Sequence, residues 1–201
     1  MPSNAAMWSA LVIPFGYLCG SISTAILVCR LIGAPDPRTA GSGNPGATNV
    51  LRVAGRGAAA ATLIGDSLKG LLPVLLARAL NADAVLMALT AFAAFLGHLY
   101  PVFFRFQGGK GVATFIGVLL GLAWPLGLGF IAVWLLMAVM FRISSLSALT
   151  AAAVAPALAW WWNYPQSYLS AAAGMAALLY WRHRSNLRNL LAGTEDRLGK
   201  K

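Results

Sequence analysis

Carboxylates, histidines and cysteines are the scarce groups in this sequence. Only 5 of 201 residues are Asp or Glu, 2 are His and 2 are Cys. No Cys or His cluster has metal-ligand spacing, so no metal is expected, and no Ser-His-Asp arrangement is suggested. Cys19 and Cys29 share one apolar run, where a ten-residue separation on a helix is about 15 Å, beyond disulfide reach. They read as packing residues. Charge is thin as well: 10% of residues are charged against about 25% in soluble domains, while 59% are hydrophobic. A water-soluble core grows too slowly with length to hide so much apolar surface. Lipid is the expected solvent. No polar linker, low-complexity tract or internal repeat divides the chain, which reads as a single domain over 1–201. No basic residue precedes the first apolar run, which is too long for a signal-peptide core and reads as a retained span.

The charge that is present is mostly positive, 15 Lys+Arg and a formal net charge of +10. The aromatic-and-basic interleaving of a nucleic-acid groove is missing, so nucleic acid is not an expected partner. Positive charge here has a prior role, marking cytoplasmic loops. A spanning helix needs about 20 mostly apolar residues, and residues 7–29, 58–77 and 84–104 supply three. Residues 112–141 would make one helix about 45 Å long, but Trp124-Pro125 followed by Gly127 and Gly129 divides them. Residues 143–181 divide at Trp162-Asn163-Tyr164-Pro165. The expectation is an all-α, polytopic integral membrane protein with seven transmembrane helices, some short or broken, around a cytoplasm-facing site. With seven spans, every basic residue except Arg78 and the intramembrane Lys69 falls on one side. With 112–141 crossing once, they divide almost evenly. The charge rule therefore selects seven, with the amino terminus outside and the carboxyl terminus in the cytoplasm. The 41–57 loop, the 108–111 loop, His98 and His183 then share a face.

Three segments on that face carry chemistry. In Gly41-Ser42-Gly43-Asn44-Pro45-Gly46-Ala47-Thr48-Asn49, glycines let the backbone turn with N–H groups facing inward, a concavity for an anion. Ser42, Asn44, Thr48 and Asn49 add neutral donors, and Arg52 adds a fork suited to phosphate. The same run resembles a defective P-loop, but Ala47 holds the lysine position and no buried strand precedes it, so nucleotide hydrolysis is not expected. In Gly108-Gly109-Lys110-Gly111, a lysine between glycines can approach a ligand without crowding, with a helix amino terminus behind it. In Arg182-His183-Arg184-Ser185-Asn186, His183 and Asn186 share a helix face. Arg182 and Arg184 read as snorkelling headgroup contacts. His183 alone is compatible with a general base, a donor to phosphate or an interfacial residue.

Within the second span, Asp66 and Lys69 are one turn apart, and intramembrane charges are costly unless paired or facing a polar cavity. A structural pair supporting the site is the first reading and direct substrate contact the second. His98 reads as an interfacial histidine. The His-x4-Asp pattern of many acyl-CoA-dependent acyltransferases is absent: Phe103 and Arg188 stand where the Asp belongs.

These segments closely resemble the bacterial acyl-phosphate:glycerol-3-phosphate acyltransferases, the PlsY family. The matching runs are Gly20-Ser-Ile, the twelve residues from Gly41 to Arg52, Asp66-x-x-Lys-Gly70, Gly97-His-x-x-Pro-Val-Phe103, Gly108-Gly-Lys-Gly-Val-Ala-Thr114, and Arg182-His183 with Asn186. They follow the family's order along nearly the whole chain. Two departures are visible: Ser23 where many members have proline, and Ser185 where an acidic residue is common. The resemblance implies a seven-helix enzyme of the bacterial inner membrane, its amino terminus periplasmic, that uses no metal, nucleotide or other cofactor. It implies transfer of a fatty acyl group from acyl phosphate to the 1-hydroxyl of glycerol 3-phosphate, giving lysophosphatidic acid and phosphate.

By motif match, Ser42, Thr48, Arg52, Lys110, His183 and Asn186 are the expected catalytic residues. Gly41, Gly43, Asn44, Gly46, Asn49, Gly109 and Gly111 are expected to bind substrate, with Asp66, Lys69 and His98 in support. The Gly41–Thr48 segment and Lys110 would hold the donor phosphate, and Arg52, His183 and Asn186 the glycerol 3-phosphate. Acyl phosphate is already activated, so no covalent nucleophile is required. The proton acceptor is either the donor's own phosphate oxygen or His183. The rival reading, from another class, is an organic-anion or phosphate transporter. Such proteins often show repeated halves and midplane sites, whereas here the glycine-rich segments lie at one face.

Overall fold

The computed structural model describes residues 11–199. Residues 7–10 of the first expected span, and the terminal Lys200 and Lys201, lie outside them. Among the described residues the backbone forms nine α-helices, one short 3-10 turn and no strand. The helices are α1 (Val12–Gly20), α2 (Thr24–Leu31), α3 (Ala47–Ala79), α4 (Ala84–Leu99), α5 (Val112–Leu122), α6 (Trp124–Phe141), α7 (Ser144–Trp161), α8 (Gln166–Arg182) and α9 (Arg184–Leu191).

Four helical stretches are long and apolar enough to cross a membrane: Ala47–Ala79, Ala84–Phe104, Trp124–Phe141 and Ser144–Trp161. The bent pair α1 and α2 makes a fifth. Of the other two expected spans, α5 is shorter than a full crossing and α8 is at the lower limit of one. Helix α5 has 11 residues, about 16 Å against a hydrocarbon layer of about 30 Å, and α8 has 17. Large apolar side chains point outward along α3 and α6, among them Leu72, Leu136 and Val139, the last 79% exposed. In lipid that exposure costs nothing.

The first span is not one straight helix. It bends by 43° between α1 and α2, and Ser23 takes an extended conformation (φ −87°, ψ 95°) with no proline at the break. The break frees the Ile22 carbonyl, which accepts from Lys69 Nζ at 2.7 Å. Backbone freed inside a membrane must be satisfied by protein. Lys69 does this while paired with Asp66 at 2.8 Å, both side chains buried. The pair thus braces the break between α1 and α2.

The second span also differs from its expected bounds of 58–77. Helix α3 begins at Ala47 and is interrupted by Gly55, whose φ of 85° and ψ of −177° suit glycine alone. Residues 47–54, expected within a loop, are therefore helical. Val50 anchors that turn, fully buried with Ala25, Cys29 and Ala58. The divisions of the two long apolar stretches fall where proline predicts. Ala123 is extended and Pro125 lies in the first turn of α6; α7 ends at Trp161 and α8 begins after Pro165.

Helix α5 lies at the centre. Phe115 stacks obliquely between Phe95 of α4 and Phe130 of α6, with ring centroids 5.5 and 5.2 Å away. It crosses α3 at close range because Gly117 leaves room for the Ser67 carbonyl, where a Cβ would collide. At its far end Arg78 donates to the carbonyls of Gly121 and Leu122, at 2.8 and 2.7 Å, satisfying groups a short buried helix leaves open. Its other end carries Lys110.

Candidate active site

The run 41–46 is shaped by Asn49. The Asn49 amide donates to the carbonyls of Pro37 and Ala40 and accepts from Ser42 N at 2.8 Å. Gly41 takes a positive φ of 60°, and a Cβ there would overlap the Asn49 side chain. Gly43 N donates to Ala40 O and Gly46 N to Asn44 O. The expected inward ring of loop N–H groups is thus largely consumed within the loop, and Asn49 faces the loop backbone. The first turn of α3 has donors instead. The N–H groups of Ala47 and Thr48 lack an intrahelical acceptor by position. Thr48 and Arg52, four apart, share a face of that turn, and Thr48 Oγ1 lies 3.4 Å from Ser144 Oγ.

The Gly108–Gly111 run is held from two sides. Gly109 N donates to the His98 carbonyl at 3.2 Å. Arg182 donates from Nη2 to Gly108 O at 2.6 Å and from Nε to Gly109 O at 3.1 Å, its guanidinium lying 5.7 Å from the Tyr100 ring centre. The snorkelling reading of Arg182 is therefore corrected. Its planar fork matches two successive carbonyls and clamps the loop. Gly111 has φ 92°, and a Cβ would press into the Phe95 ring. Lys110, between these anchors, donates to Asn186 Oδ1. Burial pulls its ammonium below the ordinary lysine pKa, Glu195 opposes this, and Arg182 and Arg52 add to it.

His183 is buried at the junction of α8 and α9, with Nδ1 2.9 Å from the Leu179 carbonyl. A carbonyl only accepts, so in the neutral ring Nδ1 carries the hydrogen and Nε2 keeps a lone pair. Burial lowers its pKa to about 4; the Leu179 carbonyl opposes this, and the charge of Lys110 reinforces it. It is a neutral acceptor near neutral pH. Asn186 passes the contact from Lys110 onward, its Nδ2 donating to Glu195 Oε1 at 2.6 Å, where Ser145 Oγ also donates at 2.7 Å. His98 is buried, and its Nδ1 stands 3.8 Å from Asp66 Oδ1, behind this constellation.

One cavity of about 790 Å³ joins these groups. Ser42, Asn44, Thr48, Arg52, Lys110, His183 and Asn186 line its polar end. Beyond Asp66 and Ser67 it continues between α3, α5 and α6 over Leu63, Leu68, Leu71, Ile116, Leu120 and Trp134. A cationic mouth opening into an apolar groove accommodates a phosphorylated headgroup and a fatty chain together. The structure thus gathers segments far apart in sequence.

Sequence reasoning missed four polar groups here. Ser144 and Ser145 begin α7 and carry no glycine signature. Glu195 and Asp196 lie on the tail after α9, where Asp196 pairs with Arg52 at 3.1 Å. Nothing local marks them; only the tail's return to Arg142, whose carbonyl accepts from Leu198 N at 2.6 Å, brings them to the site.

Residues 10–193 match the family model described as glycerol-3-phosphate acyltransferase. The glycerol-3-phosphate acyltransferase of Thioalkalivibrio sulfidiphilus is 58% identical over 193 residues, covering 96% of this chain and 95% of that one. That of Methylococcus capsulatus is 54% identical, covering 95% of this chain and 96% of its own. The crystal structure of PlsY (YgiH), an integral membrane glycerol 3-phosphate acyltransferase, in its glycerol 3-phosphate form superposes with a TM-score of 0.91 at 39% identity, covering 95% of this chain and 96% of that one. Its lysophosphatidic acid form gives 0.88 at 38% identity, covering 95% of both. The chain belongs to the glycerol-3-phosphate acyltransferase family and is a multi-pass integral membrane protein.

Proposed function

We propose that this protein transfers a fatty acyl group from acyl phosphate to the 1-hydroxyl of sn-glycerol 3-phosphate, releasing lysophosphatidic acid and inorganic phosphate. The observation that carries this reading is the continuity of the Lys110–Asn186–His183 cluster with the apolar groove between α3, α5 and α6. Lys110 and the first turn of α3 bind the donor phosphate and stabilise the charge that grows on it as it departs. Arg52 and Asn186 hold the acceptor phosphate, so that the hydroxyl oxygen meets the acyl carbon. The new C–O bond forms as the bond to phosphate breaks. The hydroxyl proton passes to the departing phosphate, and the neutral His183 Nε2 accepts a hydrogen bond that orients the hydroxyl. Ser42 and Thr48 donate from the loop side.

The distribution of basic residues supports placement in a bacterial inner membrane, amino terminus periplasmic, with the site toward the cytoplasm, and a single domain of seven spans in which α5 and α8 are short. A transporter would need its polar groups near the midplane between related halves; here they sit at one end of the bundle. The test uses purified protein with labelled glycerol 3-phosphate and either palmitoyl phosphate or palmitoyl-CoA. Lysophosphatidic acid from palmitoyl phosphate alone is expected. Product from neither donor would overturn the reading.

A further inference from the structure

A second cavity, of about 720 Å³, lies between the end of α2, the chain after it and the turn following α4. Arg30, Arg38, Arg105, Thr39, Gln107 and Phe103 line it, none of which lines the groove described above. Asp36 is the carboxylate beside it, and Arg38 consumes that group: Nε and Nη2 of Arg38 both donate to the carboxylate, as does its backbone N–H. Among the described residues no carboxylate pairs with Arg30 or Arg105. Two cations are thus left facing an open space with the Gln107 side-chain amide as a further donor, while the Thr39 hydroxyl donates to the Asp36 carbonyl.

Two features say what kind of anion suits it. Arg105 and Phe106 both hold left-handed backbone conformations (φ 55° and 59°), an unfavourable arrangement for side-chain-bearing residues. That arrangement sets Arg105 beside the cavity and leaves the Phe106 ring exposed. The surroundings are apolar and outward-facing: Phe103 is 60% exposed, Leu31 85%, and Ile32 and Phe106 57% each. A free anion gains nothing from such a rim. A lipid does, because its phosphate meets the guanidinium groups while its chains cover the apolar residues. Arg30 lies in the last turn of α2 in the first span and Arg105 follows the third, so both stand at the edge of the bilayer on the same end of the bundle.

We propose that this cavity binds the phosphate of an anionic phospholipid, separately from the acyl-transfer groove. Phosphate is the recognised group, and the lipid is its source. The test places the protein in nanodiscs of phosphatidylcholine with and without phosphatidylglycerol, and measures retained phosphatidylglycerol by native mass spectrometry. Wild type, Arg30→Gln, Arg105→Gln and the double variant are compared. The double variant is expected to hold phosphatidylglycerol about tenfold more weakly, as loss of a charge-assisted contact predicts, and each single variant to show part of that loss. Lysophosphatidic acid synthesis in phosphatidylcholine alone stays at the wild-type level in all of them, which separates this site from the groove and reports folding. Equal retention by wild type and folded variants would overturn the site. Inorganic phosphate retained in phosphatidylcholine discs and displacing the lipid would overturn the lipid as its source.

Discussion

Asp196 sets its carboxylate 3.1 Å from the Arg52 guanidinium, on the groove that Arg52 helps to line. A carboxylate in that position competes with any phosphate Arg52 would bind. Both side chains are substantially exposed, so the pair contributes about 1 kcal/mol at most. Asp196→Asn is therefore expected to lower the KM for glycerol 3-phosphate by up to about fivefold and leave kcat unchanged. Steady-state kinetics at fixed palmitoyl phosphate measure this, and the gain should shrink as salt screens the pair.

Glu195 acts through Asn186. Its Oε1 takes hydrogen bonds from both Asn186 and Ser145, and Asn186 in turn accepts from Lys110. Glu195→Gln keeps the volume but replaces a charged acceptor with a neutral one, and hydrogen bonds to charged groups contribute about 1.5–3 kcal/mol. A fall in kcat of about tenfold or more is expected, with a drop in melting temperature no larger than the weakening of these hydrogen bonds accounts for. Glu195 also opposes the depression of the Lys110 pKa, so the variant should move any alkaline limb of the pH–rate profile downward. A kcat loss without that movement would mean Glu195 only braces the tail.

His183 makes a prediction with a definite sign. Its pKa lies near 4 in the folded protein against 6.5 for the free group. Between those values the unfolded chain binds a proton that the folded chain does not, so stability falls as pH drops from 6.5 toward 4 and is level above. The full loss is about 3 kcal/mol. Thermal melts across that window should show the slope in wild type and less of it in His183→Gln. The same variant tests the proton acceptor. Near-normal kcat is expected if the donor phosphate takes the proton, whereas loss of kcat with unchanged binding would make His183 the base.

The parts of this structure that were legible in the sequence are those set by local chemistry. Proline and glycine divide the long apolar stretches at Trp124-Pro125 and before Pro165, because neither residue continues a helix freely. The site was legible as segments because glycine-flanked polar runs have few other uses beside a membrane. What escaped depends on contacts distant in the chain. The break at Ser23 has no proline and relies on Lys69, whose Nζ satisfies Ile22 from another helix. Gly55 looks like any glycine in an Ala-rich helix until its backbone is seen to turn. Glu195 and Asp196 are ordinary tail residues until the tail folds back over Arg142.

Arg182 shows how one such contact becomes a testable dependence. Its fork holds two consecutive carbonyls of the loop that presents Lys110, and it rests on Tyr100. A lysine keeps the charge but is a point donor, unable to hold both carbonyls at once or to stack. If the charge alone mattered, Arg182→Lys would be silent. If the clamp matters, the loop loosens, Lys110 meets the donor phosphate less often in register, and small displacements of a positioned group cost up to about 100-fold. The expected result is a roughly tenfold or greater fall in kcat/KM for palmitoyl phosphate, with a smaller effect on the KM for glycerol 3-phosphate. Hydrogen exchange should quicken at Gly109, whose N–H bonds the His98 carbonyl on the opposite side of the same loop. An active enzyme with faster exchange there would separate loop order from catalysis and reject the clamp as a positioning device.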